Sequence, residues 1–245
     1  MDYYKGFAPQ YDEAINWKRR FRKDLPFFRQ FFTDNDVKSL LDCACGTGQH
    51  VIQFRNMGID AKGSDASLSM VREARRNISE AGIETEVKVA EFRELGSTFN
   101  GQFDVVACLG NSLPHVQTDS GLVKSLEGMY EVLRNGGTLM VQQRNYDLLL
   151  KDQQRFIPIS QKGSSQYFYV LDYQKGKIVF NIFEYDSRNK KVRACHKVPY
   201  FPLRKSKLER LLRHVGFRDL QVRHDFGNPD FDINKSTGLT VVCRK

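Results

Sequence analysis

Five cysteines, one tryptophan and no long apolar stretch exclude several classes of protein before any motif is considered. Cys43, Cys45, Cys108, Cys195 and Cys243 are odd in number, and most fall in segments that read as buried strands or turns. There a thiol acts as a small apolar residue, so a disulfide framework is not expected. Cys43 and Cys45 form C-x-C without a second Cys/His pair, which argues against a metal site. No uncharged apolar run approaches the roughly 20 residues that cross a bilayer. Residues 1–23 alternate charge with aromatics and offer no apolar leader segment. The expectation is a cytoplasmic protein with no membrane partner, no secretory signal and no metal. Internal repeats and low-complexity tracts are absent as well.

The net charge of +9 is unevenly placed. Residues 1–149 carry 18 Lys+Arg against 20 Asp+Glu, and residues 150–245 carry 20 against 9. Such a surplus can mark an anionic partner or be solvated decoration. The second reading is favoured, because Lys175, Lys177, Arg188, Lys190 and Lys191 alternate with strand residues or sit in turns. Lys205, Lys207, Arg210 and Arg213 line a helix beside apolar partners.

A chain of 245 residues suits one well-buried α/β domain with an insertion. Short apolar runs alternate with amphipathic windows, the pattern of βα units around a parallel sheet. Strands are predicted over 38–43, 59–65, 85–90, 103–109 and 138–143. Helices are predicted over 48–57, from Ser67 as N-cap to 81 with Gly82 as the stop, and from Asp119 as cap to 133. Asn135-Gly136-Gly137 reads as the turn into the fifth strand. Residues 166–172, 177–185 and 192–200 then read as antiparallel strands, and a helix ending at Gly216 leads to strands near 217–222 and 239–243. An N-terminal helix over 17–32 is predicted to be interrupted near Pro26. The fold class expected is a Rossmann-like seven-stranded, mostly parallel sheet with helices on both faces, in a single domain. Its parts are an N-terminal helical lid (1–36), a core (37–150), an antiparallel cap (151–202) and a C-terminal completion of the sheet (203–245).

Chemistry concentrates in Asp42-Cys43-Ala44-Cys45-Gly46-Thr47-Gly48. An acid ends a strand, and two glycines fill the turn before a helix, whose N-terminus offers free N–H groups to a ligand. Asp65 ends the next strand, 17 residues beyond Gly48, where a carboxylate can accept both hydroxyls of a ribose. The dinucleotide pattern G-x-G-x-x-G is not met, because His50 and Val51 follow Gly48. That argues against a nicotinamide enzyme.

This turn resembles the D-x-(G/A)-x-G-x-G of class I S-adenosylmethionine-dependent methyltransferases. Cys108-Leu109-Gly110-Asn111-Ser112-Leu113-Pro114-His115 and Gln143-Arg144-Asn145-Tyr146-Asp147 are similar to paired segments of the glycine and glycine-sarcosine N-methyltransferases. The likeness covers about residues 38–150. It implies that Asp42, Ala44, Gly46 and Gly48 surround the cofactor's amino acid moiety, and that Asp65, followed by Ala66, holds its ribose. Ala90-Glu91-Phe92 would face adenine, through Glu91 or a backbone amide, and Leu109 would also bind the cofactor. Tyr4, Tyr11 and Trp17 would close over the cofactor or simply pack in the core. The family's substrate-holding asparagine and arginine correspond to Asn111 and Arg144. A guanidinium fork at a strand end can grip a carboxylate through two hydrogen bonds. Arg144 could instead pair with Asp147 or Asp104, and His115 could be a base or a structural histidine. Gln143 stands where the family has histidine, and Pro114 interrupts its segment.

The resemblance thus implies methyl transfer from S-adenosylmethionine, leaving S-adenosylhomocysteine, to a small-molecule acceptor such as the amine of glycine or sarcosine. O- or C-methylation of another metabolite stays open. An RNA-modifying enzyme is the rival reading, motivated by the basic C-terminal part. Against it, no N/D-P-P-Y tetrad and no RNA-binding appendage is recognisable, so nucleic acid is not the expected partner.

Overall fold

In the computed structural model, which describes residues 6–245, strands and helices alternate through the first 144 residues. Helices α1 (Ala8–Ala14) and α2 (Trp17–Asp34) precede β1 (Ser39–Asp42), α3 (Gln49–Asn56), β2 (Asp60–Asp65), α4 (Leu68–Glu80) and β3 (Val87–Val89). Then come α5 (Leu95–Thr98), β4 (Phe103–Cys108), α6 (Asp119–Glu131), β5 (Leu133–Arg144) and α7 (Tyr146–Asp152). Four strands follow: β6 (Phe156–Lys162), β7 (Ser165–Gln174), β8 (Lys177–Asp186) and β9 (Lys191–Tyr200). The chain finishes with α8 (Lys205–Val215), β10 (Arg218–Arg223) and β11 (Gly238–Arg244).

The larger sheet runs β10-β11-β5-β4-β1-β2-β3, parallel from β5 to β3 and antiparallel at β11. Its central strands are buried on both faces, which is why they read as continuous apolar runs: Leu40, Leu41, Val105, Val106, Leu139 and Val141 have no exposed surface. Phe28 of α2, Phe54 of α3, and Val71, Ala74 and Ile78 of α4 cover one face. Leu122, Leu126 and Met129 of α6 and Leu208 and Leu212 of α8 cover the other. Strand order reverses between β1 and β4, so the loops leaving their carboxyl ends diverge and open a crevice there.

The second sheet, β6-β7-β8-β9, is antiparallel throughout. Tyr167, Leu171, Phe180, Ile182 and Val198 on its inner face pack against Phe7 and Ala14 at the N-terminal end and Tyr146 and Leu149 of α7. This third core joins the cap to the strand ends of the main sheet. No helix among the described residues is long and apolar enough to cross a membrane.

Several local expectations are corrected. Pro26 lies inside one uninterrupted helix, because Phe28 and Phe32 anchor the following turns in the core and outweigh one lost backbone hydrogen bond. Thr118, not Asp119, caps α6, its side chain accepting from Gly121 N. The fifth strand begins at Leu133, paired with Phe103, and Asn135-Gly136-Gly137 is an irregularity within it. β6, α1 and α7 were not predicted, the helices being too short to show a periodic face. The N-terminal segment also divides: α1 contacts β6 and α4, whereas α2 forms part of the main core. Tyr4 lies outside the described residues.

Candidate active site

At the crevice the chain leaves β1 through a turn in which Ala44 N donates to Asp42 Oδ1 at 3.2 Å. Gly46 adopts φ +54° and a Cβ built on it meets nothing within 4 Å. Open space on that side is what a bound ligand requires. Gly48, at φ +82°, is different: its Cβ would press on Ala74 and Ile78 of α4 at 3.2 Å, so that glycine serves helix packing. Asp65, at the end of β2, accepts from Gly46 N at 3.0 Å and from Ser67 N at 2.9 Å.

A cavity of about 470 Å³ opens over these strand ends. Its wall contains Ala44, Gly46, Asp65, Ala66, Glu91, Phe92, Leu109, His115, Tyr11 and Trp17. Asp42, Gly48, Asn111 and Arg144 stand behind the wall. Asp42 is buried, and its Oδ2 has no hydrogen-bond partner. Burial pushes its carboxyl up to about 7, against the hydrogen bond from Ala44. At the opposite end Glu91 is exposed and pairs with Arg93 at 2.8 Å, while α6 approaches so closely that a Cβ on Gly128 would lie 2.1 Å from Phe92 O. This gives a slot between residues 90–93 and the start of α6, where Val116, Thr118, Gly121 and Ser125 complete the wall.

Two residues missed from the sequence organise the N-terminal side. Asp12 accepts hydrogen bonds from Trp17 Nε1 (2.9 Å), Thr47 Oγ1 (2.6 Å), Gln49 Nε2 (2.9 Å) and Asn77 Nδ2 (3.0 Å), tying α1 and the start of α2 to the glycine turn. Arg20, a turn beyond Trp17, brings a cation into the cavity wall. Nothing in the run Lys18-Arg19-Arg20-Phe21-Arg22-Lys23 singles out Arg20, and Asp12 meets partners distant in sequence. Tyr11 is half-buried, and desolvation pushes its phenol up. His50, edge-on to Trp17 and Phe21, is held neutral by burial and by Arg20.

On the cap side Asn111 takes φ +74°, a left-handed conformation that asparagine tolerates better than most residues. Its Oδ1 accepts from Arg144 N at 2.9 Å, and its amide exchanges hydrogen bonds with the Tyr146 hydroxyl at 3.1 and 3.2 Å. The Arg144 guanidinium lies 5.2 Å from the Tyr169 ring centroid and 5.4 Å from that of Phe180. The carboxylates that could have paired with it are engaged elsewhere: Asp104 with Arg134, and Asp147 with Arg204 and Lys205 N. His115 packs against Tyr200 at 4.5 Å, and burial lowers its imidazole to about 4.

The model of a methyltransferase domain family matches residues 40–137, the span containing the glycine turn and both cavity ends. A glycine/sarcosine N-methyltransferase of Aphanothece halophytica is 32% identical over 244 residues, covering 95% of this chain and 88% of that one. This chain belongs to the glycine/sarcosine N-methyltransferase family. It is an S-adenosylmethionine-dependent methyltransferase. A second relative in the family, the glycine/sarcosine N-methyltransferase of Parasynechococcus marenigrum, is 30% identical over 242 residues, 96% of this chain and 83% of that one. An S-adenosylmethionine-dependent methyltransferase from Clostridium acetobutylicum has the same fold, with a TM-score of 0.81 at 17% identity and 98% coverage of both chains. The methyltransferase's cavity suits the cofactor: there is open space at Gly46, a carboxylate at a strand end, a cation at Arg20 and a slot at residues 90–93.

Proposed function

We propose that this methyltransferase acts on the amine of a small acceptor bearing a carboxylate, such as glycine or sarcosine. The observation that carries the reading is Arg144, a guanidinium within cation–π distance of two rings of the cap and with no carboxylate partner among the described residues. Contact with the ring faces holds the guanidinium in place without using its N–H groups as donors to a carboxylate. Asn111 sits between Gly110 and Ser112, both in the cavity wall, and orients the backbone of Arg144. We infer that Arg20 receives the cofactor's carboxylate, Asp65 its ribose hydroxyls, and the 90–93 slot its adenine.

S-adenosylmethionine, when bound, supplies an electrophilic methyl group. What remains for the chain is to align the acceptor, exclude water and receive an uncharged amine; alignment alone is worth many powers of ten in effective concentration. His115 is a poor general base for this, since an imidazole near 4 cannot take a proton efficiently from an alkylammonium, whose pKa is about 10. The amine instead gives up its proton to bulk water as it enters a desolvating, cationic site. Part of the basic surplus is engaged in ion pairs, Arg193 with Glu184 and Asp186, Lys205 with Glu209, and Lys207 with Asp119, which favours a small acceptor over RNA.

The test is a panel of glycine, sarcosine, dimethylglycine, amines without a carboxylate and RNA, with isotopically labelled S-adenosylmethionine and mass spectrometry of products. Label on an amino-acid nitrogen is expected. Label on RNA alone, or equal transfer to amines without a carboxylate, would overturn the reading.

A further inference from the structure

Arg20 is not left to find its place in the cavity wall unaided. Its Nη2 donates to Gln142 Oε1 at 3.0 Å, its Nε lies 3.7 Å from Asp24 Oδ2 one helical turn on, and its guanidinium carbon is 5.5 Å from the Trp17 ring centroid. Asp24 is only 2% exposed, and its Oδ1 has no hydrogen-bond partner. A carboxylate in such a position is costly unless it does something for a cation, and burial duly pushes Asp24 up while Arg20 and Lys23 oppose the rise. Lys23 is itself held by Asp225 at 2.6 Å. Gln142 Oε1 also receives Gly110 N at 3.4 Å, and Gln142 O receives Asn111 N at 3.0 Å. Asp24 and Gln142 both stand outside the cavity wall, so each would act through Arg20.

We propose that Asp24 and Gln142 are positioning residues for cofactor binding. They take two edges of the Arg20 guanidinium and leave its remaining N–H groups facing the cavity, where the carboxylate of the methionine moiety is received. A long side chain free to rotate would lose more entropy on binding than one already held. The inference rests on the reading of Arg20 given under the proposed function.

Two ligands separate positioning from general stability. S-adenosylhomocysteine carries the amino acid carboxylate; 5′-methylthioadenosine has the same adenosine and thioether without it. Both are titrated by calorimetry into the wild-type enzyme and into Arg20→Ala, Asp24→Asn and Gln142→Met. Loss of a charge-assisted hydrogen bond should weaken S-adenosylhomocysteine about 50-fold in Arg20→Ala, with about 10-fold in Asp24→Asn and about 5-fold in Gln142→Met. Methylthioadenosine affinity should change less than about 2-fold in all three, since it offers Arg20 no carboxylate. In an Arg20→Ala background, Asp24→Asn should add nothing, because the group it holds is gone.

Equal losses for both ligands in Asp24→Asn and Gln142→Met, or losses that add to that of Arg20→Ala, would assign the pair a structural role and overturn the proposal. A selective loss in Arg20→Ala with none in the other two overturns positioning but keeps the reading of Arg20. If Arg20→Ala binds S-adenosylhomocysteine normally, the reading of Arg20 fails and the proposal fails with it. Should Asp24→Asn not fold, Gln142→Met and its combination with Arg20→Ala decide the matter alone.

Discussion

The cavity and the side-chain cluster around Asn111 and Arg144 are built from different stretches of chain. The cavity takes much of its wall from short contiguous stretches: the turn after β1, the end of β2 and residues 90–93. The cluster next to it consists of side chains brought from four places, Asn111 after β4, Arg144 at the end of β5, Tyr146 on α7, and Tyr169 and Phe180 on the cap, none of them in the cavity wall. Backbone geometry is set by a few glycines and tolerates change around them. A side-chain cluster depends on how the cap docks, so it is the more sensitive of the two to changes elsewhere in the chain.

The comparison can be broken most severely at Gly46. Gly46→Val puts a branched side chain into open space, so the fold should survive with a modest cost for a non-glycine residue at φ +54°. Cofactor affinity should fall about 1,000-fold, on the order of 4 kcal/mol. Calorimetry showing near-normal binding in a folded variant would mean that the turn does not face the ligand.

A pH experiment sharpens the same end. Asp42 is pushed up to about 7 by burial, so the folded apoenzyme binds this proton more tightly than the unfolded chain does. The contribution is fully present below about 4 and is lost as pH rises through about 7; the upper bound is about 4 kcal/mol. Melting temperatures between these limits should therefore favour acid for the wild type relative to Asp42→Asn, which has no proton to lose. Parallel curves for the two proteins would contradict the burial of a partnerless Oδ2.

The acceptor side should respond to smaller changes and only in acceptor kinetics. Arg144→Lys keeps the charge but loses the planar fork and its stacking, and should raise the acceptor's KM about 30-fold, on the order of 2 kcal/mol. S-adenosylhomocysteine affinity should stay within about 2-fold, because Arg144 stands behind the cofactor wall. Asn111→Ala should do the same to about 5-fold, through the lost bond to Arg144 N. An unchanged KM in both variants would move the acceptor away from the cap.

What the sequence determined by itself was the part carried by local rules. Alternating apolar periods placed the strands of the main sheet, Ser67 announced the cap of α4 through its bond from Met70 N, and Gly216 announced the end of α8 at φ +114°. Asp42, Gly46 and Asp65 were legible because a turn and two strand ends are short-range features with fixed spacing. Only the tertiary structure decided that Gly48 packs on α4, that Thr118 displaces Asp119 as the cap of α6, and that Pro26 rides inside an unbroken helix. It alone singled out Arg20 and Asp12: one lies in a run of similar bases, and the other finds partners 35, 37 and 65 residues away. Their roles depend on which chain segments meet above the sheet, and that is set by burial of the α2 and cap cores rather than by any pattern along the chain.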